Sequence, residues 1–233
     1  MVRDNFWLDG VDAASKMIVL QKEIEFEAAE PVTESFKIPG KDGDIVYYDG
    51  SYSNVKGHAS CYVLGGNVTT LLTEINAWLL SMAGYRRLEV MHEPLFYRLA
   101  RVMHGAKLDP RVNLINAFDL DFDCKPYKYY IEGEKNISVT ASATLLGPTD
   151  FTSLPLITVA GSGAGTVTIN GSTLTLTDSN SVVLDCELKK AYKGTTNMNG
   201  TVSGKYPVFG RSNSVSFTGG VTGLTIKPRW RTI

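Results

Sequence analysis

Apolar and polar residues alternate strictly from Phe118 to Lys125. Phe118, Leu120, Phe122 and Cys124 interleave with Asp119, Asp121, Asp123 and Lys125. A period of two sends one set to each side of a strand, so this segment reads as a strand with one wet face. Ile24, Phe26 and Ala28 alternate with Glu23, Glu25 and Glu27 in the same way. Met17–Leu20 and Ala59–Leu64 are short apolar runs of the kind that form buried strands, and Asp9-Gly10 is a hairpin dipeptide. One stretch follows a different period. Leu71, Leu72, Ile75, Trp78, Leu79 and Met82 fall on one helical stripe, with Asn67 placed as N-cap and Gly84 as the glycine past the last turn. In residues 94–104, Leu95, Leu99, Val102 and Met103 also suit a helical stripe.

Past about residue 133 the texture changes. Helical periodicity stops, charged residues thin out, and Gly, Ser and Thr dominate. Leu156–Val159, Thr166–Ile169, Thr173–Thr177, Val182–Leu188, Ser214–Phe217 and Gly223–Ile226 read as separate short strands. Asn170-Gly171 joins two of them as a tight hairpin. Strands at such regular intervals, with turn residues between them, indicate a sandwich or barrel. Gly161-Ser-Gly163-Ala-Gly165 reads as a hairpin turn. It is no phosphate loop, because a strand follows it, and the lysine and helix start that an anion needs are missing.

Charge sharpens the division. The 233 residues carry a net charge of −1. Residues 1–133 hold 14 Lys/Arg against 19 Asp/Glu, a net of −5, while residues 134–233 hold 9 against 5, a net of +4. The expected domains are therefore 1–133 and 134–233, and neither has the basic face that nucleic-acid binding needs. No apolar run approaches the roughly 18 residues of a membrane span, so no membrane insertion is expected. Met1–Phe6 lacks the apolar stretch of a secretory signal, which places synthesis in a cytoplasm. Cys61, Cys124 and Cys186 are far apart and odd in number, which suits buried free thiols better than disulfides or zinc.

Catalytic and metal signatures are missing. His58, His92 and His104 stand at no ligand spacing, and neither a nucleophile elbow nor an HExxH pattern occurs. Asp119, Asp121 and Asp123 share a strand face, but a calcium loop bends around its ion at a glycine that this run lacks. The reading is of a non-enzymatic protein with no cofactor and no metal.

A turn-rich core, Ile38-Pro39-Gly40-Lys41-Asp42-Gly43, lies between two strand-like runs within residues 37–52. Proline fixes φ and glycine supplies positive φ, so the chain should reverse sharply here. This block resembles the IPG(R/K)DG signature of the distal tail protein (Dit) family of siphophages. Three more blocks agree in order and spacing: Asn76-Ala77-Trp78-Leu79, Phe122–Tyr129, and Lys227-Pro228-Arg229-Trp230. The resemblance implies a mainly β fold with one helix. An α+β N-terminal ring domain is followed by a galectin-like β-sandwich, with residues 130–150 at the linker position and a strand over 94–104. It further implies a structural virion protein in a ring, typically a hexamer, at the tip of a long non-contractile phage tail. Its partners would be copies of itself, the tail tube protein, and tail-tip or hub proteins, with DNA only in passage. On that reading Ile38 to Gly43 mark a ring-domain turn or interface, and Asp119, Asp121 and Asp123 are candidates for an acidic lumen face. The alternative is a receptor- or carbohydrate-binding module of a tail tip, resting on Tyr192, Tyr206, Phe209 and Trp230 in the β-rich half.

Overall fold

The computed structural model describes residues 4–64, 67–109 and 115–233. The chain separates into two compact units, Met1–Lys128 with Ile233, and Tyr129–Thr232.

The first unit begins with β1 (Phe6–Leu8) and β2 (Val11–Asp12), turned back at Asp9 and Gly10, both at positive φ as a two-residue hairpin requires. Next come β3 (Ile18–Leu20), β4 (Glu25–Phe26), β5 (Pro31–Lys37), β6 (Asp44–Tyr52) and β7 (Val55–Leu64). Helix α1 spans Val68–Leu79, and β8 (Arg86–Val90), β9 (Phe96–Val102) and β10 (Ile115–Tyr130) complete the set. The main sheet runs β2-β1-β8-β9-β10-β7-β3, with β4 also beside β7. Phe118, Leu120, Phe122 and Cys124 point inward, as their alternation predicts. α1 lays Val68, Ile75, Trp78 and Leu79 on this core, where Phe6 stacks on Trp78 at 6.1 Å and meets Phe122 edge-on at 5.9 Å.

Both helix ends are closed by side chains. The Asn67 carboxamide oxygen accepts from the Thr69 and Thr70 amides at 3.1 and 3.3 Å. At the other end Gly84 does not serve as the stop, and Met82 lies beyond the helix. Leu80 is the cap residue, and a guanidinium replaces the glycine turn. Arg86 donates to the Trp78 carbonyl at 2.7 Å and, through Nε, to Asp9 at 2.7 Å. Residues 96–102 form a strand, β9, with Tyr97 and Ala100 buried.

The second unit contains β11 (Ile137–Val139), β12 (Ala143–Leu146), β13 (Leu156–Ile169), β14 (Ser172–Leu176), β15 (Val183–Asp185), β16 (Lys190–Lys193), β17 (Thr196–Asn197), β18 (Val202–Gly204), β19 (Ser212–Lys227) and β20 (Arg231–Thr232). Its strand order is β11-β19-β13-β15-β16-β17, with β12 on β19, and β14 on β13 and β18. Two expectations change here. Leu156–Val159 and Thr166–Ile169 are one strand, and so are Ser214–Phe217 and Gly223–Ile226. The glycine cluster 161–165 is an irregularity inside β13, where pairing with β19 shifts register. A Cβ on Gly161 would strike the Gly220 carbonyl, and one on Gly220 the Ser162 carbonyl. Glycine is there for close approach, which a linear reading mistakes for a turn.

Residues 130–150 are no loose linker. β11 and β12 pair with β19, the Tyr130 amide donates to the Trp230 carbonyl at 2.9 Å, and the Arg229 amide to the Gly133 carbonyl at 2.8 Å. The core of this unit, from Val139 through Phe209 to Trp230, draws on its own residues. A fragment of residues 129–233 is accordingly expected to fold alone. Far-UV circular dichroism and a dispersed amide spectrum would check this; an unfolded fragment would refute separate folding. No helix among the described residues is long and apolar enough to cross a membrane.

Candidate functional site

Two features of the first unit stand out. The first is the β5–β6 hairpin. It forms a two-stranded sheet of its own, joined to no other strand among the described residues. Its register places Phe36 opposite Ile45 and Glu34 opposite Tyr47, with Ser35–Val46 and Thr33–Tyr48 on the other face. Apolar side chains therefore emerge on both faces, with Val46 and Tyr47 60% and 59% exposed. No residue of 31–52 belongs to the buried core. The Ile38–Gly43 block forms the tip, where the Lys41 amide donates to the Ile38 carbonyl at 3.2 Å, and Gly40 and Gly43 take φ of 79° and 81°. At the base, Tyr52 meets Tyr48 and Tyr127 edge-on at 6.0 and 6.1 Å.

The second feature is the wet face of β7 and β10. Antiparallel register sets Asp119 opposite Ser60, Asp121 opposite His58 and Asp123 opposite Lys56. All three aspartates do share that face, and each is engaged. Ser60 donates to Asp119 at 2.9 Å. Asp121 takes His58 Nδ1 on one oxygen at 2.8 Å and His104 Nε2 on the other at 3.0 Å. Asp123 accepts from Asn54 at 2.9 Å and from Arg101 Nε at 2.7 Å. Those partners moderate the negative face that the carboxylates alone would make. An open groove of about 1080 Å³, with Phe26, Met103 and Phe122 among its walls, lies over Asp121 and Asp123. Among the described residues no group of three or more His, Cys, Asp or Glu is arranged to hold a metal.

Burial raises the thiols of Cys61, Cys124 and Cys186 to about 12, so none is a nucleophile at neutral pH. Several arginines and aromatics that could offer a basic or stacking surface are instead engaged within the fold. Arg86 caps α1, Arg229 pairs with buried Asp185 at 3.0 Å, and Arg231 Nε donates to the Thr152 carbonyl at 2.7 Å. Phe209 and Trp230 pack on each other at 5.4 Å in the core, and Tyr206 packs against that core. Two of the four aromatics suggested for sugar contact are thus interior side chains. Reasoning from sequence missed His58 and His104 as partners of Asp121. The available signal was Lys56, His58 and Ser60 alternating along one strand in step with Asp119, Asp121 and Asp123 along the other.

Among the described residues the chain is mainly β with a single α-helix, and its first unit carries a hairpin that forms a sheet of its own. In fold the chain is similar to the SPP1 Dit protein, whose crystal structure is described as a paradigm of the hub adsorption apparatus in phages infecting Gram-positive bacteria. The TM-score is 0.73 over 99% of both chains, at 16% sequence identity. In sequence, the chain matches no family profile and no curated protein.

Proposed function

We propose that this chain is a structural subunit of a phage virion, which assembles with copies of itself into a ring, hexameric by family resemblance. The ring joins the tube of a long non-contractile tail to its tip or baseplate and gives DNA a passage. The observation that carries this reading is the β5–β6 hairpin. A two-stranded ribbon is at best marginally stable alone, and its open edges invite further pairing. A ribbon that is apolar on both faces, yet outside its own chain's core, is built to be covered by another chain. Head-to-tail contact of one such arm with the next subunit closes into a ring when the rotation permits. The similarity to SPP1 Dit supports the same reading.

Within it, the face carrying Asp119, Asp121 and Asp123 is the candidate channel wall. A conduit for DNA works best without tight phosphate contacts, since each Lys or Arg on a phosphate adds salt-dependent affinity. Here Arg101 and the two histidines are already turned toward carboxylates. One experiment tests both parts. Light scattering and negative-stain images of the purified protein should show a ring with a central hole. The same sample should leave DNA unshifted in a gel at about 50 mM salt, where electrostatic binding is exaggerated. A monomer would overturn the ring, and submicromolar DNA binding would overturn the conduit.

A further inference from the structure

We propose that His104, Asp121 and His58 form a proton-dependent latch, which ties residues 103–108 to strand β10 of the first unit's sheet at acidic to neutral pH and releases them as pH rises. This reading stands on the local geometry and does not depend on assembly.

His104 Nδ1 lies 3.2 Å from the Gly105 carbonyl, and Nε2 lies 3.0 Å from an Asp121 carboxylate oxygen. A carbonyl and an ionised carboxylate can only accept, so both ring nitrogens must donate. Only the doubly protonated imidazolium does that. His58 takes the other Asp121 oxygen at 2.8 Å, and its Nε2 faces Asp119 at 3.7 Å, so acids and imidazoles alternate across the face. The electrostatics agree. The hydrogen bond to Asp121 raises the His104 pKa, followed by that to the Gly105 carbonyl, against opposition from desolvation and Lys107. The bonds from His58 and His104 in turn hold Asp121 below the ordinary carboxylate range.

Most of the other charged groups around the pair are engaged. Glu25 on β4, opposite His58, is engaged by Lys22 at 2.6 Å. Arg101 on β9 pairs with Asp123, beside which Lys56 stands on β7, and Ser60 serves Asp119. Lys107 is the remaining cation of the segment itself that acts on His104, and it works against the latch.

What the latch holds is a closely seated stretch. The Met103 amide donates to the Asp121 carbonyl at 2.9 Å, Ala106 and Leu108 are buried, and Asn76 of α1 donates to the Ala106 carbonyl at 3.2 Å. Gly105 packs close to the helix, since a Cβ there would lie 2.5 Å from the Asn76 side-chain oxygen and displace it. The segment thus parts from strand β10 beside Asp121 and runs to the core and the helix, and His104 ties its start to the sheet.

The sign follows from linkage. A histidine whose folded pKa exceeds its ordinary 6.5 contributes a hold that is complete below 6.5 and lost as pH climbs through the raised value. Each unit of elevation corresponds to about a tenfold stronger hold in the protonated state. At the acidic end the hold disappears again when Asp121 itself is protonated.

Two measurements on the intact chain test the latch. In a proton NMR titration, His104 should titrate above 6.5 in the wild type and return toward 6.5 in D121N. In hydrogen exchange followed by mass spectrometry and corrected for intrinsic rates, the peptide covering 103–109 should lose protection as pH passes through the His104 transition. The expected loss is about tenfold per unit of elevation. H104Q and D121N should exchange fast already at about pH 5.5, with no step. A wild-type His104 that titrates at or below 6.5, or protection that stays flat through its titration, would overturn the proposal. Both readings come from the unmodified protein, so they hold even if a variant folds poorly.

Discussion

Removing the hairpin should abolish assembly and leave the fold intact. If Val32 is joined to Ser51 by a short glycine-serine turn, no core residue is lost, because none lies between them. The Pro31–Tyr52 pair and the Tyr52–Tyr127 contact remain to close the base. The assembly has far more to lose. Covering one side chain such as Val46, Phe36 or Ile45 is worth about 1.5–3 kcal/mol, whereas a micromolar contact amounts to only about 8 kcal/mol. Loss of four or five such side chains therefore dissolves a contact of that strength. Light scattering should report a monomer, with circular dichroism and melting otherwise close to wild type. A point variant, V46D, should act in the same direction with less disturbance. Rings that survive the shortened chain would deny the hairpin its assigned part.

The largest single-residue effect on stability is expected at Arg86. Its guanidinium is buried, donates to the Trp78 carbonyl and is paired by Asp9 in the β1–β2 turn. R86M keeps most of the volume but strips the end of α1 of its donor and leaves Asp9 without its cation. Charged hydrogen bonds of this kind, when one partner is removed, cost about 3 kcal/mol. The D9N variant should cost less, because Asp9 is partly solvated. Urea unfolding gives both values; an R86M midpoint within error of wild type would show that water replaces the cap at no cost.

These residues also show what a linear reading reaches. The N-cap at Asn67, the apolar stripe of α1, the Asp9-Gly10 and Asn170-Gly171 turns and the wet face of β10 are legible because each is encoded by neighbours in the chain. Gly84 misleads, because the helix stop is supplied by an arginine from the next strand and a turn 77 residues away. The glycines of β13 mislead in the opposite direction: close approach to β19 and a sharp turn ask for the same residue. The first arm of the hairpin, Pro31–Lys37, shows no alternation, since neither of its faces is buried within the chain. The Asp121–His58 contact is hard to read because His58 is 63 residues away, and its alternation with Lys56 and Ser60 gains meaning only once strand register sets it opposite Asp121.

The interior placement of all three thiols has a practical consequence. Cys61, Cys124 and Cys186 are sealed and protonated in the folded chain. A cysteine introduced on the exposed arm, at Val46 or Tyr47 for instance, therefore meets a maleimide without competition from the native ones. A dye or spin label can then report on that arm in solution without first stripping the protein of its own sulfur.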